Sequence, residues 1–386
     1  MKKISILLPY KENFSPDYAG AVSLYVKDTT IKSKFKKIIK IYGHTNYKNI
    51  FKLKYSNIDL KKNLLASGSK IYVDNFLKYE KKDPSDIIEI HNRPIYLTYV
   101  SKNKIKAKIV LYFHNDPLTM TGSKSLTDRN FLLNYASKIV FNSQWSKKRF
   151  LEGFESSYAN SEKLLVIYQS ADKPTINFKK KKKWITFVGK LNTAKGYDLF
   201  GKAILKILKN FKNWYGVVVG DEPRQKLFYN HPRLKKLGFI NHKKVLDIYS
   251  KSSIAVACSR WNEPLGRTSL EASSRGCAVI ISNRGGLPET ITHGIILKNL
   301  TVDSVYKSLK NLILNEKKIK NLQKLSYSNF HHTHDAAIKN IDNYRKKLSG
   351  DNELKTFSIK KTSNLKILHV TNFNERHDGR LFFNTG

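Results

Sequence analysis

The chain has 386 residues, of which 40% are hydrophobic and 12% are aromatic. This composition excludes an intrinsically disordered chain, and the length favours two domains over a single core. No apolar run approaches the roughly 20 residues of a transmembrane helix, and the apolar stretch Ile4–Leu8, which ends at Pro9, is too short for a signal peptide. We therefore expect a cytoplasmic protein.

The formal net charge is +41, and 59 of the 71 basic residues are lysine. Sequence-specific readers of nucleic acid usually rely on the bidentate guanidinium of arginine. The composition therefore disfavours specific nucleic-acid binding and favours attraction to an anionic membrane surface. The two cysteines, Cys258 and Cys277, fit neither a metal-ligand spacing nor a disulfide framework, and their apolar surroundings predict buried thiols.

Short β-branched runs alternate with longer amphipathic segments, which is the pattern of parallel α/β units. The runs of the first half predict strands at Ile4–Leu8, Lys37–Tyr42, Lys70–Val73, Ile87–His91, Lys108–His114, Lys138–Asn142 and Leu164–Tyr168. The runs of the second half predict strands at Trp184–Val188, Gly216–Val219, Lys235–Phe239, Ile254–Cys258 and Ala278–Ser282. The predicted fold is α/β, with two doubly wound, Rossmann-like domains.

The segment 172–183 between these two sets of strands contains Pro174 and five consecutive lysines, Lys179–Lys183. Because like charges repel one another and stay solvated, this segment predicts a linker. We place an N-terminal domain at residues 1–175 and a C-terminal domain at residues 176–328.

The C-terminal stretch has helical apolar spacing in Asp303–Leu325 and in His334–Leu348. We expect residues 329–348 to form a helix that returns to the first domain, and residues 349–364 to form a second linker. The final residues, 365–386, begin with LKILHV and a loop to Gly379, much as the chain itself begins. They predict the start of a truncated second module.

The first candidate for a binding site is FVGKLNTAKG, residues 187–196. A predicted strand ends at Gly189, and Gly196 opens an apolar helix. The helix N-terminus carries a partial positive charge, to which Lys190 and Lys195 add full charges. This arrangement suits a diphosphate, although an ordinary strand–helix turn with surface lysines has the same local pattern.

The second candidate is CSRWNEPLGRTSLEA, residues 258–272, directly after a predicted strand. Glu263 is expected at the carboxyl end of the strand, where open α/β sheets bind ligands. Gly266 marks the turn into a helix, and Glu271 falls in the second turn of that helix. Two carboxylates at these places can accept hydrogen bonds from the hydroxyls of a sugar and of a ribose.

The third candidate is GGLPE, residues 285–289, which follows the predicted strand Ala278–Ser282. Paired glycines permit a tight turn that brings backbone amides near a ligand, and Pro288 suits the start of a helix. Alone, a Gly-Gly turn is a weak signal.

These three motifs, in this order and spacing, resemble the donor half of the large family of retaining GT-B glycosyltransferases (glycosyl transferases group 1). The resemblance is specific across residues 184–292. The first half supports it more loosely, through the sequences ILLPY, YAGA, IHNRP, YFHND and FNSQWSKKRF.

The resemblance implies roles for individual residues. Catalytic roles fall to His114, which would reach toward the reacting sugar, and Glu263, which would face that sugar. The implied donor-binding residues are Gly20, Gly189, Lys190, Lys195, Leu265, Gly266, Glu271 and Gly286. Within that set, Lys195 would bind the diphosphate, Glu271 would bind the ribose, and Gly20 would let backbone approach the donor or the acceptor.

The chain departs from the family pattern at two of these places. Lys190 stands where an arginine is usual, and it supplies a point charge in place of a planar fork. Gly20 is followed by Ala21, where a second glycine is common.

The reaction implied is transfer of a hexose-like sugar, with retention, from a nucleoside-diphosphate sugar to a cell-surface glycan or lipid-linked acceptor, as in lipopolysaccharide or polysaccharide biosynthesis. The chain contains no Asp-x-Asp sequence, so we expect neither a metal nor another cofactor, and the nucleotide sugar is a co-substrate. A cluster of histidines near the C-terminus is interpreted as a solvated helix start rather than as a set of metal ligands: His331, His332 and His334.

Peripheral association with the inner face of the membrane is expected through basic and aromatic residues of the first domain: Phe35, Lys36, Lys37, Tyr47, Lys48, Phe51, Lys52 and Lys54. Alternative functions on the same fold are a hydrolase or phosphorylase, a sugar-nucleotide epimerase, and a non-catalytic basic protein that binds membrane or nucleic acid. The intact set of Lys195, Glu263, Glu271 and His114 argues against a non-catalytic relic.

Overall fold

The computed structural model describes residues 1–60 and 67–350. The first half of this part forms one seven-stranded parallel sheet in the order β3-β2-β1-β4-β5-β6-β7. Its strands are β1 (Ile4–Leu7), β2 (Ile39–Gly43), β3 (Tyr55–Asn57), β4 (Ile87–His91), β5 (Lys108–Phe113), β6 (Lys138–Phe141) and β7 (Leu164–Val166). All of its strand pairs are parallel, as the alternating α/β pattern predicts.

The second half forms a six-stranded parallel sheet in the order β10-β9-β8-β11-β12-β13. Its strands are β8 (Lys182–Val188), β9 (Tyr215–Val219), β10 (Leu234–Lys236), β11 (Ser252–Ala257), β12 (Ala278–Ser282) and β13 (Ile295–Leu297). The chain changes sheet between residues 166 and 182, and the predicted boundary at 175/176 lies in this connection. Each sheet has a core of its own side chains on both faces.

Helices connect the strands. Those of the first half are α1 (Ala21–Lys32), α2 (Gly68–Lys82), α3 (Ile95–Ser101), α4 (Leu126–Tyr135) and α5 (Gln144–Phe150). Those of the second half are α6 (Tyr197–Asn210), α7 (His242–Lys251), α8 (Arg267–Ser274), α9 (Val302–Ile313), α10 (Glu316–Ser328) and α11 (His334–Leu348). Short 3₁₀ turns lie at Lys36–Ile38, Pro117–Thr119, Ser156–Asn160, Phe178–Lys180 and Leu287–Thr290.

The predicted strand at Lys70–Val73 is wrong, because these residues lie in helix α2. The side chain of Ser67 accepts a hydrogen bond from the amide of Lys70 and caps the helix. The residues that α2 buries are spaced three and four apart, at Tyr72, Val73, Phe76 and Leu77, which is the period of a helix.

Helix and strand limits differ from the prediction in other places as well. The predicted helix Asp303–Leu325 is two helices, since the side chain of Asn315 caps a new helix, α10. The strands β3 and β13 were not predicted. Each has only three residues and pairs along one side at a sheet edge, so it leaves a weak pattern in the sequence.

The lysine run is only partly the solvated linker that we expect. Lys182 and Lys183 begin strand β8. The ammonium of Lys181 donates to the carbonyls of Tyr249 (3.0 Å), Ser252 (2.9 Å) and Arg275 (2.7 Å). Burial lowers the pKa of Lys181. Its three backbone acceptors replace the water that a surface lysine would bind.

Helix α11 returns to the first half of the chain and lies against α1. The guanidinium of Arg345 donates to both carboxylate oxygens of Glu89, on β4, at 2.7 Å each. Both side chains are 1% exposed. The carboxylate of Asp342 accepts from the hydroxyl of Ser33 at 2.6 Å. These contacts bind the end of the described chain to the first sheet.

The predicted truncated module, residues 365–386, lies outside the described residues, as does the predicted linker 349–364 except for Ser349 and Gly350. The thiols of Cys258 and Cys277 are buried and unpaired.

Candidate functional site

A cavity of about 240 Å³ is bounded by residues that follow the carboxyl ends of strands in both sheets. The carboxyl ends of the strands form the edge at which doubly wound sheets bind their ligands. The first half contributes Ala21, Val22, His114, Asn115, Asn142 and Gln169. The second half contributes Phe187, Val188, Gly189, Lys195, Ala257, Ser259, Glu263, Pro264, Leu265, Gly266, Arg267, Thr268 and Leu287.

The loop between β8 and α6 brings Gly189 and Lys195 to this cavity. Gly196, at φ 74°, precedes α6, and a Cβ there would lie 1.9 Å from the carbonyl oxygen of Cys258. Only glycine fits this close approach, which holds the loop against the end of β11. Lys190, by contrast, is exposed and is not among the described residues that form the cavity wall.

Lys195 and Glu263 meet at the cavity. The ammonium of Lys195 lies 2.5 Å from Oε1 of Glu263. The backbone of Glu263 is fixed from the GGLPE segment, since the amide of Gly286 donates to the carbonyl of Glu263 at 2.6 Å. Two residues that the sequence separates by 68 positions are thus brought into direct contact.

Gly266 makes the turn into α8, at φ 109°. A Cβ on Gly266 would lie 2.4 Å from Cδ2 of Leu287. No side chain caps α8, and its first turn contains no acidic residue. The helix therefore presents free amides and a partial positive charge beside Leu265 and Gly266, both of which line the cavity.

Glu271 lies in the second turn of α8, as predicted from the spacing. It is buried and not part of the cavity wall formed by the described residues. Its Oε1 accepts from Nε of Arg267 (2.5 Å) and contacts Nε2 of His242 (2.7 Å). Burial alone would raise the pKa of Glu271, but the charge of Arg267 and the bond from His242 hold it at about 2.

His114 follows β5 and lines the cavity, but both of its ring nitrogens are engaged within the protein. Nε2 lies 3.0 Å from Nδ1 of His91, and Nδ1 lies 3.3 Å from Nε2 of Gln169. Burial and the neighbouring His91 hold the pKa of His114 well below 6.5. The imidazole is therefore neutral near pH 7 and presents no charged N–H to a ligand in this state.

Sequence reasoning missed the residue that shapes the turn at His114. Asn92 has φ 55°, and it is the only non-glycine residue with positive φ in residues 1–60 and 67–350. Its Oδ1 accepts from the amides of His114 and Asn115 at 3.0 Å each. The sequence signal was an asparagine, which tolerates this conformation, directly after a strand.

Gly20 has a different setting from the expected one. It precedes α1 and is not in the described cavity wall, although Ala21 and Val22 are. A Cβ on Gly20 would lie 2.2 Å from Oε1 of Glu12, which accepts from the amide of Ser23 at 2.8 Å. A side-chain carboxylate thus occupies the position that we expected to open for the donor or acceptor.

Gly286 also lies outside the cavity wall, and its contact is with backbone. A Cβ there would lie 2.4 Å from the carbonyl oxygen of Pro264. In the same segment, the carboxylate of Glu289 accepts from the amides of Gln144 (2.7 Å) and Trp145 (2.8 Å) at the start of α5. The third motif therefore joins the two halves of the chain, a role that sequence reasoning missed.

Of the three histidines predicted to form a solvated helix start, His331 is exposed, whereas His332 and His334 are buried, which corrects the interpretation for these two. His332 contacts the carbonyl of Glu289 at 2.9 Å, and Nδ1 of His334 lies 2.8 Å from the hydroxyl of Ser170. Within residues 1–60 and 67–350, no group of three or more His, Cys, Asp or Glu side chains is arranged to hold a metal ion. No helix in the same ranges is long and apolar enough to cross a membrane.

Comparison with known proteins identifies the second half of the chain. Residues 169–329 match the family described as Glycosyl transferases group 1. This segment is similar to the group 1 glycosyltransferase domain. It contains Lys195, Glu263, Glu271 and those cavity-wall residues that the second half contributes.

Proteins to which the chain is similar include two of Bacillus subtilis (strain 168). YtcC is 26% identical in an alignment 255 positions long that covers 58% of this chain and 61% of YtcC. Spore coat protein SA is 24% identical in an alignment 245 positions long that covers 55% of this chain and 64% of that protein. The chain thus matches about three fifths of the length of these relatives.

Solved structures share the whole architecture. Anabaena HepE, in complex with UDP and glucose, superposes with a TM-score of 0.69 over 90% of this chain and 100% of HepE, at 16% identity. The likeness confirms the predicted GT-B fold, in which two Rossmann-like domains flank the cavity.

Proposed function

We propose that the chain transfers a sugar from a nucleoside-diphosphate sugar to a glycan or lipid-linked acceptor, with retention of configuration. The observation that carries the proposal is the contact between Lys195 and Glu263 at the wall of a cavity between the two domains. A cation for the phosphates and a carboxylate for the sugar hydroxyls stand side by side there.

The departing group in such a reaction is a nucleoside diphosphate, whose negative charge grows as the bond from C1 of the sugar breaks. The ammonium of Lys195 and the uncapped start of α8 can stabilise that charge without moving far. A new bond forms between C1 and an acceptor hydroxyl, and the hydroxyl proton passes to the departing phosphate.

Glu263 and Glu271 would bind different parts of the donor. Glu263 is partly accessible at the cavity, so its carboxylate can accept from a sugar hydroxyl once a ligand draws Lys195 away. Glu271, in the second turn of α8, is ionised, so its carboxylate can accept hydrogen bonds from both hydroxyls of a ribose. HepE was solved with UDP and glucose, which makes UDP-hexoses the first donors to test.

We further propose that the reaction needs no divalent metal and no other cofactor. The sequence has no Asp-x-Asp, and the fixed cations of the cavity offer an alternative to a metal for the diphosphate. The lowered pKa of His114 makes its imidazole a weak base, so His114 would contact the sugar through its edge or its peptide rather than as a general base.

The acceptor is expected at the membrane's inner face. The lysines at positions 36, 37, 48, 52 and 54 are exposed on the first domain, whereas Phe35 and Phe51 are partly buried against its core. The charge of this surface therefore supports attraction to anionic lipid better than it supports insertion of aromatic side chains.

A donor panel tests the proposal. The protein is incubated with UDP-, GDP-, ADP- and TDP-linked hexoses in excess EDTA, with membrane extract as the source of acceptor, and the release of nucleoside diphosphate is measured. We expect release from one donor, and nuclear magnetic resonance of the product should show the anomeric configuration of that donor. An inverted product would refute retention, and activity that returns only with manganese or magnesium would refute metal independence.

A further inference from the structure

Arg267, the first residue of α8, is a buried cation to which the sequence motifs assigned no role. Its Nε donates to Glu271 at 2.5 Å, and its Nη2 donates to Asp28, on α1 of the first domain, at 3.4 Å. The side chain is 13% exposed and forms part of the cavity wall.

The guanidinium is only partly satisfied. Its Nη1 is buried and has no hydrogen-bond partner among the described residues. An arginine side chain stays protonated and has five N–H donors, two of them on Nη1. Leaving donors of a buried charged group unpaired is costly, so Nη1 calls for a partner from outside the protein, such as a water molecule or the phosphate of a ligand.

The two other cations that the sequence predicts for the diphosphate, Lys190 and Lys195, are both lysines. Lys195 supplies a point charge rather than a planar guanidinium, and Lys190 is exposed and away from the wall. Of the described residues that form the wall, Lys195 and Arg267 are the two that carry a positive charge. Arg267 is therefore the one guanidinium in that described wall.

The backbone around Arg267 favours the same class of ligand. Arg267 follows Gly266 at the uncapped start of α8, where the helix presents free amides and a partial positive charge. A diphosphate that accepts from these amides would lie close to the guanidinium of the first helical residue. Arginine binds phosphate oxygens with two parallel N–H donors, which a lysine cannot do.

We propose that Arg267 binds the diphosphate of the donor through Nη1 and supplies the guanidinium that position 190 lacks. This inference rests on the proposed function. Its bonds to Glu271 and Asp28 hold the side chain in place, so that ribose, phosphate and the first domain meet at one residue. A specificity for diphosphates over bare nucleosides follows from this arrangement.

The test compares a nucleoside diphosphate with its nucleoside. UDP and uridine are titrated into the wild type, Arg267→Gln and Arg267→Lys by calorimetry, and Arg284→Gln, an exposed arginine, is the charge-matched control. We expect Arg267→Gln to lower the affinity for UDP at least tenfold and to change the affinity for uridine less than twofold. The affinity of Arg267→Lys for UDP should lie between those of the wild type and Arg267→Gln. The affinity of Arg284→Gln for UDP should equal that of the wild type.

Asp28→Asn tests whether Arg267 binds phosphate or only links the two domains. This variant keeps the guanidinium and removes the negative charge of its partner on α1. We expect this variant to keep its affinity for UDP within about threefold. An equal loss of UDP and uridine in Arg267→Gln would mean that Arg267 only positions Glu271, and it would overturn the inference. A wild type that binds none of UDP, GDP, ADP, CDP and TDP would overturn the proposed function and this inference together.

Discussion

The ammonium of Lys195 lies 2.5 Å from Oε1 of Glu263, although one side chain leaves a loop after β8 and the other a loop after β11. The Lys195 side chain is 34% exposed and that of Glu263 is 12% exposed, so the pair stands at the cavity surface rather than in the core. An ion pair in such a position is worth little to stability, because water screens it. We infer that the pair separates when a donor binds, so that Lys195 contacts the diphosphate and Glu263 contacts the sugar.

Lys195→Ala should weaken the binding of a nucleoside diphosphate about tenfold to a hundredfold, because a hydrogen bond to a charged group is worth about 1.5–3 kcal/mol. Lys190→Ala removes an exposed lysine of the same loop and should change the affinity less than threefold. Calorimetry on the two variants checks both expectations. A larger loss for Lys190→Ala would mean that the loop rearranges around the ligand.

Glu263→Gln should lower turnover by at least tenfold and leave the affinity for the nucleoside diphosphate nearly unchanged, since the carboxylate is expected to face the sugar. Glu271→Gln should instead weaken the binding of the nucleoside diphosphate, because Glu271 is expected to bind the ribose. Steady-state rates and calorimetry of the two variants form a matched pair. If both variants lose only turnover, the division of roles between the two glutamates is wrong.

Arg345→Met should lower the free energy of unfolding by about 3–5 kcal/mol, because it leaves the buried carboxylate of Glu89 without its charged partner. The double variant Glu89→Leu with Arg345→Met removes both charges and should be less destabilised than the single variant. Urea denaturation measures both. A single variant as stable as the wild type would show that α11 is held without this pair.

Replacing Lys48, Lys52 and Lys54 with serine should reduce co-sedimentation with vesicles that contain 30% phosphatidylserine. Each exposed lysine near such a surface contributes roughly 1 kcal/mol at low salt. Serine replacements of Lys202, Lys209 and Lys212, which are exposed on the second domain, remove the same charge as a control. Equal binding of all proteins to neutral and anionic vesicles would exclude electrostatic attraction.

The parallel sheets could be predicted because their strands are buried on both faces and form nearly continuous apolar runs, as in Ile87–Ile90 and Val279–Ile281. Local patterns could not settle the segment 68–82. Its apolar pairs resemble a short strand until the cap at Ser67 and the later Phe76 and Leu77 are counted with them.

The motifs of the site were visible because glycines and charged residues recur at strand ends. Its connections were not, since they join distant positions. Glu289 caps α5, Asn92 holds the turn at His114, and Arg267 contacts Asp28 across 239 positions. The exposure of Lys190 was equally out of reach, because nothing in a strand–loop–helix pattern decides which of two loop lysines turns toward the cavity.

The central claim is that the cavity binds a nucleoside diphosphate, and calorimetric titration of the wild type with UDP, GDP, ADP, CDP and TDP tests it most directly. We predict that at least one of them binds with one-to-one stoichiometry in the presence of EDTA. At a hundred times its Kd, that ligand should add about 2.7 kcal/mol to the free energy of unfolding. If none of the five binds or stabilises the protein, the claim is contradicted.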